Sequence, residues 1–218
     1  LEKASSIFKI TGRVLPVSLF QATLGVVYEN GKKVLGEHAI DQPEFGGGIK
    51  IKEVFLKPEI KVYKGAADAI IDCDMIVLGP GDIYTSTVPC LLVGGIKTAI
   101  KKSKAKVCYV VNLMNRYSQT HNFKASDYLR EIEKYLDRKI DVTVVNTSRV
   151  PKRVMSSYLA EKATVPNDDL KNEKGLKVIR GDFVRRSVIA KASGDILSRS
   201  FFRHDEDKLA RALIKILL

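Results

Sequence analysis

Met75-Ile76-Val77-Leu78 runs directly into Gly79-Pro80-Gly81-Asp82-Ile83-Tyr84-Thr85-Ser86, a short apolar strand followed by a tight turn and a hydroxyl-rich loop. Asp72 and Asp74 precede the strand. Leu91-Leu92-Val93-Gly94-Gly95-Ile96-Lys97-Thr98-Ala99-Ile100 follows the loop, with apolar spacing that suits a helix better than a strand. Strand, turn, loop and helix in that order make an α/β crossover. Ligands of such folds sit beyond the carboxyl ends of the parallel strands. Glycines let the backbone approach a ligand, and free N–H groups near a helix start favour anions. Tyr84, Thr85 and Ser86 would add hydroxyl donors beside those amides. A loop that merely turns the chain could use the same residues, so the Gly-Pro-Gly turn alone is a weak sign of a site.

Downstream, the alternation of strands and helices continues. Residues 66–71 read as a short helix, and 88–102 as one helix whose lysines gather near its C-terminal end, as the helix dipole prefers. Residues 107–112 form a continuous apolar strand of the buried parallel type. Ser126-Asp127 opens an amphipathic helix to Leu136, with Leu129, Ile132 and Leu136 on one face. A strand at 142–145 ends at Asn146-Thr147-Ser148, Pro151 starts a helix to about Ala160, and 176–179 is a further strand. Residues 208–218 close with an apolar helical stripe.

Upstream the pattern differs. Residues 1–10 have helical spacing, with Gly12 as the stop. Val14-Leu15-Pro16-Val17 reads as a short strand at an edge, because of its proline. Strands at 22–28 and 33–38 flank Glu29-Asn30-Gly31-Lys32, where Asn-Gly suits a type I′ hairpin turn. A third strand at 49–56 follows Gly46-Gly47-Gly48. That bend lacks a following helix with Lys-Ser/Thr and reads as a flexible connection, not a phosphate loop. The expected fold is therefore α/β: a three-layer, mostly parallel Rossmann-like sheet with a small antiparallel insertion. Residues 1–218 would form a single domain, with a hairpin excursion at about 13–58.

At 218 residues, 45% apolar and 28% charged, the chain has the composition of an ordinary globular domain with a sizeable core. No uncharged apolar run reaches membrane-span length, and no secretory signal is visible. Cys73, Cys90 and Cys108 are widely spaced among apolar residues and read as buried thiols of a reducing compartment, so a cytoplasmic location is expected. The absence of an initiator Met suggests a chain that begins inside a larger protein, or a processed or partly observed one. The net charge of +12 invites a nucleic-acid surface. Lys101, Lys102, Lys104 and Lys106 form the densest run, with Arg149, Lys152, Arg153, Arg180, Arg185 and Arg186 downstream. Few aromatics interleave with them, and the basic residues spread over every element. A solvated lysine-rich surface is the favoured account.

Several separated motifs carry a family likeness. Gly12-Arg13-Val14-Leu15-Pro16-Val17, Gly48-Ile49-Lys50 followed by Val54-Phe55-Leu56-Lys57-Pro58, and the Leu78–Ser86 loop occur in order. Asn112-Leu113-Met114, Ala125-Ser126-Asp127 and Arg203-His204-Asp205 follow. In this the chain resembles the YvcK-type gluconeogenesis factors, which belong to the superfamily of the 2-phospholactate transferase CofD. The resemblance covers nearly the whole chain but only the second half to two-thirds of the family. The family's opening G-G-G-T-G loop, and its acidic and glycine-rich segments, have no counterpart here. The CofD-like fold that the resemblance implies agrees with the α/β reading above.

Loops 79–86, 112–126 and 146–148 follow parallel-type strands and should share one sheet edge. The resemblance implies that they help line a nucleotide-ligand cleft, with Gly79, Gly81, Tyr84, Thr85, Ser86, Asn112, Met114 and Thr120 as candidate contacts. It also implies that Tyr158 and Arg203 bind a UDP-sugar, for which Arg offers bidentate phosphate contacts and Tyr a ring and a hydroxyl. Local roles compete: Asn112 bonding its own loop, Tyr158 packing in the core, and Asp205 capping the last helix. After Met114 the family continues T-Q-P-G-E-T-D-G, whereas this chain has Asn115-Arg116-Tyr117-Ser118-Gln119-Thr120-His121-Asn122-Phe123. Both acids are lost, and Arg116 and His121 make the loop more cationic; His121 is an acid–base group or simply an exposed side chain.

The favoured function is a nucleotide-sugar-binding regulator, of the UDP-N-acetylglucosamine type, in carbon metabolism and cell-envelope growth. A phospholactate-type transferase and a nucleic-acid-binding surface are the alternatives. A binding protein is favoured over an enzyme. No catalytic residue, metal site or cofactor is assigned beyond the UDP-sugar as ligand. Nucleic acid is disfavoured as a partner, and the oligomeric state is left open, a homo-oligomer included.

Overall fold

The computed structural model describes residues 12–150, 152–185 and 202–217. The expected helix at 1–10, the proline start at 151 and Arg186 lie outside the described residues. In chain order the elements are β1 (Thr23–Tyr28), β2 (Lys33–Leu35), α1 (Glu37–Asp41), β3 (Ile51–Lys57) and α2 (Lys64–Asp72). Then come β4 (Met75–Leu78), α3 (Val88–Leu92), α4 (Ile96–Lys102), β5 (Lys106–Val110) and α5 (Ala125–Leu136). The chain closes with β6 (Val142–Asn146), α6 (Lys152–Ala160), β7 (Lys177–Gly181) and α7 (Glu206–Leu217).

Four strands form a parallel sheet in the order β4-β5-β6-β7. β5 shows why helices must cover both faces. Its Val107 and Tyr109 join the core with Ile96, Ile100, Leu129 and Ile132, from α4 and α5. Cys108 and Val110 point the other way, into a cluster with Leu209 and Ile216 of α7. Successive strand residues face opposite sides, so a strand buried on both faces has no polar side. Thr143 is the one wholly buried polar residue of β6, and its hydroxyl donates to Tyr109 O at 3.0 Å. Asp205 caps α7: its Oδ1 accepts from Lys208 N at 3.0 Å.

The second sheet is antiparallel, in the order β2-β1-β3. It docks on α5, where Tyr135 Oη accepts from Val54 N at 3.1 Å and Lys134 Nζ donates to Lys52 O at 2.8 Å. Gly25 of β1 lies under the Phe55 ring, whose nearest atom would be 2.3 Å from an added Cβ. The insertion thereby shares its core with the parallel sheet.

Several expectations are corrected. Residues 14–17 form no strand: Val17 O accepts from Tyr63 N at 2.9 Å, while Pro16 has no N–H for a ladder. The strand expected at 33–38 stops at Leu35, because Gly36 (φ 88°) turns the chain into α1. The hairpin turn is not type I′: Gly31 has a positive φ (81°) but Asn30 does not, and Gly31 N donates to Tyr28 O at 2.9 Å. The single helix expected at 88–102 is two, α3 and α4, divided where Gly95 takes φ 102°. The strand before the Gly79–Ser86 loop, expected to be central, is β4, which among the described strands stands at an end of its sheet.

Candidate functional site at the carboxyl edge of the parallel sheet

Strand β4 ends at Leu78, and Gly79 turns the chain with φ 81°, so close to β5 that a Cβ there would lie 3.2 Å from Val110 O. The loop then widens by one residue. Asp82 O accepts from both Ser86 N (2.9 Å) and Thr87 N (3.1 Å). Beyond β5, Asn112 reaches across: its Nδ2 donates to Gly81 O at 2.9 Å, and its Oδ1 accepts from Tyr109 Oη at 3.2 Å. The loops after β4 and β5 are thus tied together at one sheet edge, and Asn112 performs the local role while also lining the space above.

That space is a cavity of about 1250 Å³. Its floor is Pro80, Gly81, Asp82, Ser86 and Asn112. Met114, Arg116 and Tyr117 line the cavity together with Tyr158, Lys162, Arg203 and His204, and Lys162 Nζ sits 4.8 Å from the Tyr117 ring centroid. His38, Asp41, Gly46 and Gly47 come from the antiparallel insertion. The glycine bend is pinned, not loose: Gly48 N donates to Tyr117 O at 2.8 Å, and a Cβ on Gly47 would fall 2.5 Å from the Tyr117 ring.

The altered loop after Met114 is held from inside. Asn115 Nδ2 donates to Phe123 O (2.9 Å) and Thr164 Oγ1 (3.0 Å). The Tyr128 hydroxyl lies 2.8 Å from Asn115 Oδ1 and 3.0 Å from Thr120 Oγ1. Thr120 Oγ1 also accepts from Arg116 N at 2.9 Å. This presents Arg116 to Asp82, with Nε 2.9 Å from Oδ2. Gln119 Nε2 donates to Asp41 Oδ1. Burial raises the Asp41 carboxyl above the usual carboxylate range, with Arg116 opposing and Asp82 adding to the rise. Burial also pushes His204 down to about 4, against a hydrogen bond to the Val111 backbone, so its imidazole is neutral at pH 7. His121 sets its ring edge-on to Tyr117, with centroids 4.8 Å apart.

Of the residues expected to contact a ligand, Gly81, Ser86, Asn112, Met114, Tyr158 and Arg203 line the cavity together. Gly79 and Thr85 are not in its wall. Tyr84 and Thr120 move into the interior, at 1% and 4% exposed. The widened turn swings Tyr84 under the loop, edge-on to Phe123 with centroids 6.5 Å apart, and burial with Glu131 nearby raises its phenol pKa. Thr120 is consumed in the loop's own bonding. Sequence reasoning missed His38, Asp41 and Lys162: the strand expected at 33–38 overran the start of α1, Asp41 carries no local signal, and the approach of Lys162 rests on a positive-φ turn (53°). The Tyr158 hydroxyl accepts from Phe202 N at 3.3 Å, which fixes the ring beside Arg203. The thiols differ from expectation: Cys108 is buried and pushed up to about 12 by burial, but Cys90 is exposed. Among the described residues no group of three His, Cys, Asp or Glu could hold a metal, and no helix is long and apolar enough to cross a membrane.

Residues 1–184 match the family model of 2-phospho-L-lactate transferase CofD. The chain belongs to the CofD family. Within it, this CofD-family chain is similar to the gluconeogenesis factor of Bacillus subtilis, 33% identical over 98% of this chain and 64% of the relative. It is also similar to that of Listeria innocua, 32% identical over 98% of this chain and 62% of the relative. A crystal structure of a UPF0052 family member from Bacillus halodurans superposes with a TM-score of 0.83 at 33% identity, covering 98% of this chain and 65% of that one. The chain thus spans about half to two-thirds of the length of the curated relatives it matches. The likeness extends over both sheets, so the antiparallel insertion that supplies Asp41 belongs to the shared CofD-type architecture.

Proposed function

We propose that the cavity binds a nucleotide sugar of the UDP-N-acetylglucosamine type, and that the protein acts through it in the cytoplasm as a regulator of carbon metabolism and cell-envelope growth. The observation that carries the reading is the convergence of Gly81, Ser86, Asn112, Met114, Tyr158 and Arg203 on one cavity. They come from positions separated by more than a hundred residues, yet meet at the sheet edge where α/β folds hold ligands. A volume of about 1250 Å³ exceeds the range of roughly 300–1,000 Å³ common for small-molecule sites, which suits a two-part ligand. Arg203 and Lys162 offer charge-assisted donors to a diphosphate, and the Tyr158 ring offers a flat apolar face. The lining carboxylates Asp41, Asp82 and Glu161 offset the cations in number, so the site suits a ligand with a neutral polar end as well as an anionic one. The carbon-metabolism role draws on the gluconeogenesis factor names of the relatives.

The second reading is a transferase acting on a nucleotide-linked donor, favoured by the family description and by the nearness of Asp41, with its raised pKa, to Asp82. Incubation with UDP-N-acetylglucosamine and analysis of the products separates the two, since a regulator returns its ligand unchanged. The binding claim is tested by calorimetric titration of the full-length protein. Arg203→Ala should weaken UDP-N-acetylglucosamine about ten- to a hundredfold, the value of one charge-assisted bond, while leaving the fold intact. Equal affinity in the two proteins would remove Arg203 from the site.

A further inference from the structure

Where Asp41 and Asp82 line the cavity, with Arg116 paired to Asp82, the hydrogen-bond arrangement around Asp41 is built but incomplete. Asp82 follows β4, and the Asp41 carboxylate lies within reach of its charge and that of Arg116. Arg203 and His204 stand on another side of the cavity: Arg185 N donates to Arg203 O at 2.9 Å, His204 bridges to Val184, and the His204 imidazole bonds the Val111 backbone just past β5. Arg203 attracts phosphate, whereas Asp41 and Asp82 repel it. Sugar hydroxyls are donors, and a carboxylate is their strongest acceptor.

Asp41 lines the cavity, with Oδ1 held by Gln119 and Oδ2 receiving no hydrogen bond from the described residues. Gln119 is only 2% exposed and its Oε1 has no partner, although its Nε2 is fixed on Asp41. Tyr28, 1% exposed, has a hydroxyl without a partner, and the charge of Asp41 bears directly on it. Buried polar groups are normally satisfied, so the open hydrogen-bonding capacity around Asp41, which lines the cavity, is consistent with a ligand partner for its Oδ2.

We propose that Asp41, oriented by Gln119, is the specificity residue for the sugar: Oδ2 accepts a hydroxyl hydrogen of the hexose, which lies at the β4 end while the diphosphate extends toward Arg203. This rests on the nucleotide-sugar reading above and names which end of the ligand lies where. It makes Asp41 matter for the sugar and not for the nucleotide.

The test is calorimetric titration of the full-length protein with UDP-N-acetylglucosamine and with UDP, for wild type, Asp41→Asn and Arg203→Ala. Asp41→Asn keeps the shape and the Gln119 contact while removing the charge. It should weaken UDP-N-acetylglucosamine about tenfold and leave UDP unchanged within about twofold. Arg203→Ala should weaken both. An Asp41→Asn protein that loses neither ligand, or loses both equally, overturns the proposal while the nucleotide-sugar reading stands. A wild-type protein that binds neither ligand overturns both. Asp41→Ala, with circular dichroism to establish folding, repeats the comparison without the residual amide acceptor and should widen the difference between the two ligands.

Discussion

His204 sits at the rim of the cavity, half-buried, and its pKa is pushed from 6.5 to about 4 because the charged imidazolium would lose its hydration there. The unfolded chain takes up the proton first, near pH 6.5, and the folded chain only near 4. Stability from the neutral imidazole is therefore complete above pH 6.5 and is lost as the pH falls toward 4. With those two values, acidification from pH 8 to pH 5 costs about 2 kcal/mol, out of a total of roughly 5–15 for a typical domain. The perturbation is His204→Gln, which keeps a polar side chain able to bond near Val111 but cannot titrate. Urea unfolding at pH 8 and pH 5 measures the difference for both proteins. Other titrating groups, including Asp41, whose raised pKa acts in the opposite sense, cancel between them. Wild type should lose about 2 kcal/mol more than the variant on going to pH 5. Equal pH dependence would refute the burial of a neutral His204.

Tyr84→Phe should cost about 1 kcal/mol of stability through the lost interaction near Glu131, with no change in calorimetric affinity for the nucleotide sugar, because the ring is in the core. Gly47→Ala should destabilise by about 1–3 kcal/mol in denaturant titration, since its Cβ would meet the Tyr117 ring at 2.5 Å and the Tyr117 carbonyl at 2.7 Å. Neutralising Lys101, Lys102 and Lys104 together should leave DNA and RNA affinity, assayed by fluorescence anisotropy at physiological salt, as weak as in the wild type. The pair between Lys101 and Asp137 is exposed, so this change should shift stability by less than about 1 kcal/mol.

Much of the architecture is legible because local chemistry and tertiary environment agree. Met75–Leu78 lies between Asp74 and Gly79, so an apolar run with polar punctuation is both the sequence signal and the strand itself, although at the sheet's end only Ile76 of the four is buried. The apolar spacing from Leu91 to Ile100 passes unbroken through Gly94-Gly95, and only the φ of 102° at Gly95 reveals the break. The hydroxyl row after Gly81 shows the limit for the site. Ser86 lines the cavity, but the extra residue in the turn sends Tyr84 inward, and no single-sequence periodicity reports that widening. Asp41 was invisible for another reason. It matters only because Gln119, 78 positions away, packs beside it, and contacts of that range leave no local mark.

The most direct measurement is a structure of the full-length protein with UDP-N-acetylglucosamine at saturating concentration. Ligand density should run along the carboxyl edge of the parallel sheet, with the diphosphate within hydrogen-bond reach of Arg203 and the Tyr158 ring beside it. Density seated elsewhere, or an empty cavity at saturating ligand, would contradict the account.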